Sequence, residues 1–380
     1  ITSFGAYVPY WRLNKNAIGA GAHGEKAICN FDEDSITMAV ASAIDCMRGI
    51  DRSHIDGLFY ASTTSPYSEK SSASTVAIAT DLRRDVRAID FSHSLRAGSS
   101  ALLSALDAVK ADSVGKVLIT GSDCRIGPPG SAFERNFGDG AGSLIVGNED
   151  VIAEFEASYS VSDEILDTWR PEGDPFVRSW EARFSISQGY LPVVTEAVSG
   201  LFNKYSLSAK DFTTAIFYSP DGRRHNEVAA KLGFDIKTQV QDPLIKDMGN
   251  TGAAASLMLL VASLEKAKAG DRILLVSYGD GCDVLSFRVT DSIDKLANRL
   301  GMKGHLESKK LIDDYRKYLY WRQLLPSEKR VDTVSFISVP AIHRERNTNL
   351  RLSGCKCLSC GTIQFPPQRV CPKCHTKEQF

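Results

Sequence analysis

GKVLITGSDCRIGPPGSAFERNFGDGAGSLIVGN, residues 115–148, decides how the rest of the chain is read. It opens on the apolar run GKVLITGS (115–122) and closes on GSLIVGN (142–148), each short enough to be a buried strand and each bounded by glycine. Two further strand-like runs lie upstream, IDGLFYAS (55–62) and VRAIDFS (86–92). SITMAVASAIDCMRGI (35–50) and GSSALLSALDAVKA (98–111) carry apolar residues at helical spacing. The pattern then begins again. ISQGYLPVVTEAVSGLFNKY (186–205), TTAIFYS (213–219), EVAAKLGF (227–234), ASLMLLVASLEKAKA (255–269) and RILLVSYG (272–279) repeat the alternation. Two rounds of strand and helix predict an α/β chain of two similar halves on mixed or parallel sheets, residues 1–165 and 166–290.

From 291 the texture changes to a charged, mostly helical connector, 291–349, with no strand candidate before VSFISVP (334–340). Leu311, Tyr315, Leu319 and Trp321 are its expected contacts with the body. The chain of 380 residues has 43% hydrophobic and 24% charged residues and a net charge of −1, which excludes the disordered class and any global attraction to nucleic acid or anionic lipid. No apolar run approaches the roughly 20 residues that span a bilayer. The opening ITSFGAYVPYWRL has neither the basic flank nor the apolar core of a secretion signal, so the expected location is cytoplasmic.

Of nine cysteines, Cys29, Cys46, Cys124 and Cys282 are scattered, while five crowd into 355–374. In CLSCGTIQFPPQRVCPKC, two CxxC pairs stand ten residues apart. Each CxxC forms a knuckle that aims two thiolates at one point, so Cys357, Cys360, Cys371 and Cys374 predict a closed, structural zinc site in residues 350–380. A rubredoxin-type iron centre or a redox pair are the other readings of this spacing. Cys355 is expected to be a fifth, non-ligating thiol. A zinc ribbon often binds nucleic acid, but the flank RERNTNLR makes no continuous basic face, and no nucleic-acid partner is expected.

The body resembles the thiolase superfamily, most closely the 3-hydroxy-3-methylglutaryl-CoA synthases and β-ketoacyl synthase III. The resemblance rests on GAYVPYWRL, on SDCRIGPPGSAFERNFGDGAGSLIVG (122–147), on YSPDGRRHNEVAAKLGF (218–234), on DMGNTGAAASLMLL (247–260) and on ILLVSYGDGCD (273–283). It implies the thiolase fold, two βαβ-type halves in a layered αβαβα arrangement, a CoA-thioester substrate and a homodimer. The CG…FPP…CPxC pattern resembles the zinc-ribbon/OB-fold proteins that accompany thiolases and thiolase-like aldolases, which implies a thiolase or OB-fold partner.

That family uses a nucleophilic cysteine, a histidine, an asparagine and, in the synthases, a glutamate. Carried over by motif, DFSHSLRAGS (90–99) puts Leu95 at the cysteine, YSPDG puts Tyr218 at the histidine and STTSPY (62–67) puts Thr63 at the glutamate. Only Asn250 of GNT is kept. A leucine forms no thioester, so the resemblance points to (retro-)aldol cleavage of a β-hydroxyacyl-CoA, which needs no acyl-enzyme. Tyr218 is then the expected base, and Asn250 with backbone N–H groups near Gly279 the expected oxyanion site. His93 is a second catalytic candidate. Arg223 and Arg224, with His225 in a solvated helix start, are candidates for the phosphates of CoA, and Trp169–Trp180 for the acyl tunnel. Two other functions stay open: an acyltransferase whose nucleophile lies elsewhere, with Cys124 and Cys282 the cysteines in reach, and a silent CoA-binding or scaffold subunit.

Overall fold

The computed structural model describes residues 1–325 and 338–378. Its layers follow from where alternate strand residues point. In β4 (Gly57–Ser62), Leu58 and Tyr60 enter one core cluster, and Phe59 and Ala61 another on the opposite face. β4 lies next to the edge of a five-stranded sheet of order β1-β7-β6-β4-β5, with β1 (Ser3–Tyr7), β5 (Arg87–Ser92), β6 (Val117–Asp123) and β7 (Gly140–Val146). β4 pairs in parallel with β5 and β6, whereas β7 runs antiparallel to β6 and β1.

The second sheet repeats this plan. β8 (Ala153–Ser162), β9 (Thr214–Phe217), β10 (Arg272–Tyr278) and β11 (Gly281–Val289) stand in the order β8-β11-β10-β9, and only β9 and β10 are parallel. Here Ile273 and Leu275 face the shared core, while Leu274 and Val276 face outward. Between the sheets lie the helices Ala97–Lys110 and Ala255–Leu264, and every residue of the latter is buried. A helix apolar all round has to be covered on all sides, which is why ASLMLLVASL sits at the centre. Helices Ser35–Cys46 and Ser72–Ala79 cover the first sheet, and Leu191–Tyr205 and Gly222–Lys231 the second. The result is the expected five-layered α/β fold. β8, which ends before residue 165, belongs to the same sheet as β9, β10 and β11.

The connector departs from expectation in one respect. Lys310–Ile312 is a strand, β12, which joins β2 (Trp11–Asn14) and β3 (Glu25–Ala27) in a small sheet of order β12-β2-β3. Leu311 points to solvent, 51% exposed, and Ile312 and Tyr318 fill the buried positions instead, with Tyr315, Leu319 and Trp321 packed around them. Of VSFISVP, residues 334–337 lie outside the described residues, and Val339 and Pro340 open the helix Val339–Asn349.

The connector is also held by charge. Arg322 Nη1 lies 3.1 Å from Asp139 Oδ2 with both side chains buried, and its Nη2 donates to the Cys124 carbonyl at 2.9 Å. Removing one member strands a buried charge, so Arg322→Ala is expected to cost about 3–5 kcal/mol of stability. Arg322→Met with Asp139→Leu should cost less than the two single changes together. A thermal melt of the four proteins checks this, and additive losses would show that the pair is not coupled.

Candidate functional site

Leu95 lies in the turn between β5 and the central helix Ala97–Lys110. Three contacts with the second half pin this turn. Ser94 Oγ donates to the Gly279 carbonyl at 3.0 Å, Arg96 Nη1 lies 3.2 Å from Asp283 Oδ1, and Ser99 Oγ donates to Asp283 Oδ2 at 2.8 Å. A Cβ at position 279 would stand 2.9 Å from Leu95 Cβ, so only glycine lets the two strands of backbone meet here. Leu95 is half-buried against the cluster that holds Tyr190, Tyr218, Tyr278 and Cys282. The Gly279 N–H is not free, as the sequence reading had it: it donates to the Gly281 carbonyl at 2.9 Å. The Leu95 N–H has no acceptor among the described residues.

Tyr218 follows β9 and Asn250 precedes the buried helix, and the two side chains meet. Asn250 Nδ2 donates to Tyr218 Oη at 3.2 Å and to the Ser219 carbonyl at 3.0 Å. Asn250 Oδ1 accepts from Arg125 Nη2 at 2.6 Å and from the Gly252 N–H at 3.0 Å, which fixes the amide with its N–H groups toward the tyrosine. Arg125 is buried, its guanidinium 4.1 Å from the centroid of Phe137. Tyr218, Asn250, Thr251 and Met248 border a narrow cleft of about 10 Å³, room for one water-sized group. That is the size of a thioester oxygen rather than of an acyl chain.

Thr63 stands at the end of β4 with its hydroxyl committed. Thr63 Oγ1 donates to Asp123 Oδ2 at 2.8 Å, and the Asp123 carboxylate also accepts from Ser62, Thr64 and the Ala253 N–H. Along the end of β6, Asp123 and Arg125 face the site and Cys124 faces away, toward Cys29 and Tyr7. Cys282 is fully buried, and burial pushes its thiol far up. Cys124 is thus turned away, and Cys282, in the cluster against which Leu95 packs, is a buried thiol whose ionisation is opposed. His93 is exposed, in a left-handed conformation with φ of 71°, and bonded through Nδ1 to Ser92 Oγ at 2.6 Å. No hydrogen bond or ring contact among the described residues joins His93 to Tyr218 or Asn250. His225 is buried against Phe217 rather than solvated, and burial holds its imidazole below the usual range. Arg223 is exposed, and Arg224 pairs with Glu227.

The sequence reading missed a carboxylate. Asp167 Oδ2 accepts a hydrogen bond from Tyr278 Oη at 3.0 Å, and the Tyr278 ring meets Tyr190 edge-on at 5.2 Å. Burial pushes the Asp167 carboxyl above its ordinary value, and the nearby Asp280 adds to this. Three residues on, Arg170 Nη2 donates to the Thr63 carbonyl at 2.6 Å, so this loop runs from the tyrosines to the end of β4. Trp169 bridges to Arg178 within the loop, and Trp180 stands in solvent, 74% exposed. Only the tyrosine end carried a signal, as the last strand residue of ILLVSYG.

In residues 350–378 the two CxxC turns are near copies. Gly361 N–H donates to the Cys357 carbonyl at 2.8 Å and His375 N–H to the Cys371 carbonyl at 3.0 Å, while Thr362 and Thr376 hydroxyls lie 3.2 Å from Cys360 Sγ and Cys374 Sγ. The four Sγ atoms lie within 4.8 Å of one another, with Cys357–Cys374 and Cys360–Cys371 each 3.6 Å apart. Four thiolates at Zn–S distances of about 2.3 Å around one ion need this spacing, so the donor set fits zinc. Cys355 stands outside the group on β13 (Cys355–Lys356), accepting from Gln364 Nε2 of β14 (Ile363–Gln364) at 3.3 Å.

Comparison with known proteins agrees with both parts. The profile of the ChsH2 rubredoxin-like zinc ribbon domain matches residues 349–378, and that of the 3-oxoacyl-[acyl-carrier-protein] synthase III C-terminal domain matches 202–290. A crystal structure of HMG-CoA synthase complexed with CoA superimposes with a TM-score of 0.76 at 19% identity, covering 89% of this chain and 94% of that one. The 3-oxoacyl-[acyl-carrier-protein] synthase III of Aquifex aeolicus gives 0.66 at 20% identity over 76% of this chain and 99% of that one. The fold is thus that of the thiolase-like condensing enzymes. Hydroxymethylglutaryl-CoA synthase of Archaeoglobus fulgidus is 33% identical over 340 residues, 85% of this chain and 98% of the relative, and that of Methanopyrus kandleri 31% over 342 residues, 86% and 97%. The chain belongs to the hydroxymethylglutaryl-CoA synthase family and carries a C-terminal zinc ribbon. Among the described residues no helix is long and apolar enough to cross a membrane.

Proposed function

We propose that this protein breaks, or in reverse forms, a carbon–carbon bond in a β-hydroxyacyl-CoA without an acyl-enzyme. The observation that carries this reading is Leu95 in the turn before the central helix, with Cys124 turned away and Cys282 sealed in the core. Tyr218 Oη, as its phenolate, takes the proton of the β-hydroxyl, the carbonyl forms, and the Cα–Cβ electron pair passes into the thioester as an enolate. The Leu95 N–H is one donor for that oxygen, and Asn250 Nδ2 becomes the second by turning to it the N–H that it gives Tyr218 Oη. Asp167, as the acid, then protonates Cα, and loss of the Tyr218 proton to water with uptake of one by Asp167 closes the cycle. Arg223, at the start of helix Gly222–Lys231, is the exposed cation placed for the CoA phosphates. We also infer a homodimer through β5, whose outer edge is unpaired among the described residues and whose Ile89 is 37% exposed.

The test is to incubate the protein with a series of β-hydroxyacyl-CoA esters that includes 3-hydroxy-3-methylglutaryl-CoA, and to trap the carbonyl product. The relatives' names favour a second reading, acyl transfer, which demands a thiol nucleophile. Labelled acetyl-CoA should leave no label on a body cysteine under our reading. A stable thioester on Cys124 or Cys282 would establish the second one.

Asp167 gives a pH signature. An acid works only while protonated, so turnover should fall as pH rises through its raised pKa. Tyr278 and Asp280 are the titratable groups that act on it, and Tyr218 and Asp280 act in turn on Tyr278. Asp167→Asn should lower kcat by about 10²-fold or more and erase that alkaline limb. A variant with the same limb and rate would assign the proton to another group.

A further inference from the structure

Far from this site, a cleft of about 690 Å³ opens between the body and the helix that leads into the ribbon. One wall is the turn Asp51–Ser53 and the chain 81–84; the other is Arg346, Asn347 and Arg351. Residues 51–53 precede β4 and residues 81–84 precede β5, whereas Thr63 and Leu95 follow those strands. β4 and β5 are parallel, so the cleft and the candidate active site occupy opposite edges of the sheet. A ligand here touches none of the groups assigned to the reaction.

Five of the lining residues are arginines, and the way each is held matters more than their number. Arg83 is paired with Asp56 at 2.8 Å and Asp85 at 3.1 Å, and Arg351 with Asp81 at 3.1 Å. Arg52 has no carboxylate partner among the described residues; its Nη1 donates to the Thr80 carbonyl at 3.0 Å, which holds the guanidinium in place. Arg84 is exposed, with no partner among the described residues, and Arg346 meets only the His343 ring. The Nε of Arg351 is buried without an acceptor. Three unmatched guanidinium groups and one orphaned donor thus converge from two walls. Their planar forks match oxyanions bidentately.

The remaining lining narrows the ligand class. Ile50 and Leu82 are the only apolar side chains in the wall, so the cleft offers little for a hydrophobic body. Its volume lies within the usual range for small-molecule sites, about 300–1,000 Å³, and far exceeds a single inorganic ion. We infer that this cleft binds a small anion carrying two or more phosphate groups, bridging Arg52 and Arg84 of the body to Arg346 and Arg351 beside the ribbon. Such a ligand ties the ribbon segment to the body.

The experiment is calorimetric titration of the full chain with inorganic pyrophosphate at low and at physiological salt. Saturable binding of one ligand per chain is expected, weakening as salt rises. Arg84→Ala with Arg346→Ala should weaken it by about tenfold or more. Because Arg84 is solvent-exposed, Arg84→Glu alone serves as a second variant that leaves the packing alone, and it should weaken binding in the same direction. No saturable heat at millimolar pyrophosphate overturns the inference, as does equal binding by the variants.

Discussion

Replacing Tyr218 by phenylalanine is expected to lower release of the carbonyl product by about 10²- to 10⁴-fold, the range over which a positioned general base contributes. The expectation rests on how little else the change disturbs. Tyr218 is 4% exposed within a core cluster that phenylalanine fills equally well. The lost hydroxyl accepts from Asn250 Nδ2 at 3.2 Å, and that amide keeps its bond to the Ser219 carbonyl. Stability should therefore fall by only about 1 kcal/mol. A large loss of kcat with a nearly unchanged melting temperature and KM is the expected pattern. Unchanged turnover would remove Tyr218 from the reaction. Asn250→Ala provides the contrast: it also strands Arg125, whose Nη2 lies 2.6 Å from Asn250 Oδ1, so rate and stability should fall together.

Stripping the metal should have the largest structural effect. Residues 350–378 contain only the two-residue strands β13 and β14, and their buried apolar side chains are few. A segment of this size cannot hold itself together by burial. Zinc binding in such small domains supplies about 10–16 kcal/mol, and that free energy is the folding free energy of the segment. Chelation, or Cys371→Ser at a fully buried ligand, is expected to unfold the ribbon and expose it to protease while the body keeps its melting transition. A chelated protein with a protease-resistant ribbon would contradict this. Metal analysis should return zinc and no visible absorption, which separates it from an iron centre of the same ligands.

The residues that were legible from sequence are those whose partners are near in the chain or whose period is regular. The four ligands lie within eighteen positions, and the central helix announces itself by being apolar on every side. β8 was invisible because AEFEASYSVS is half-exposed and carries Glu154 and Glu156, of which Glu156 pairs with Arg272 and Arg288 rather than entering the core. The Asp167–Tyr278 contact spans 111 positions and belongs to a loop with no period at all. His93 and His225 misled in opposite directions: strand end and helix start told nothing of which way each ring turns. Leu95 was placed by its motif, and it lies in the turn between β5 and the central helix.

Phe137 and Asn250 are joined backbone to backbone, and a Cβ on Gly138 would fall 1.7 Å from the Met248 carbonyl oxygen. The two halves therefore touch beside the site through main chain, where no side chain can be trimmed or enlarged. Any attempt to retarget the protein to a bulkier or smaller acyl group gains nothing from editing this seam. The exchangeable part is the stretch from Asp167 to Arg178, anchored at its ends by Tyr278 and by the carbonyls of Thr63 and Ile126. Selectivity in relatives of this chain should drift in that stretch while the glycine seam stays fixed.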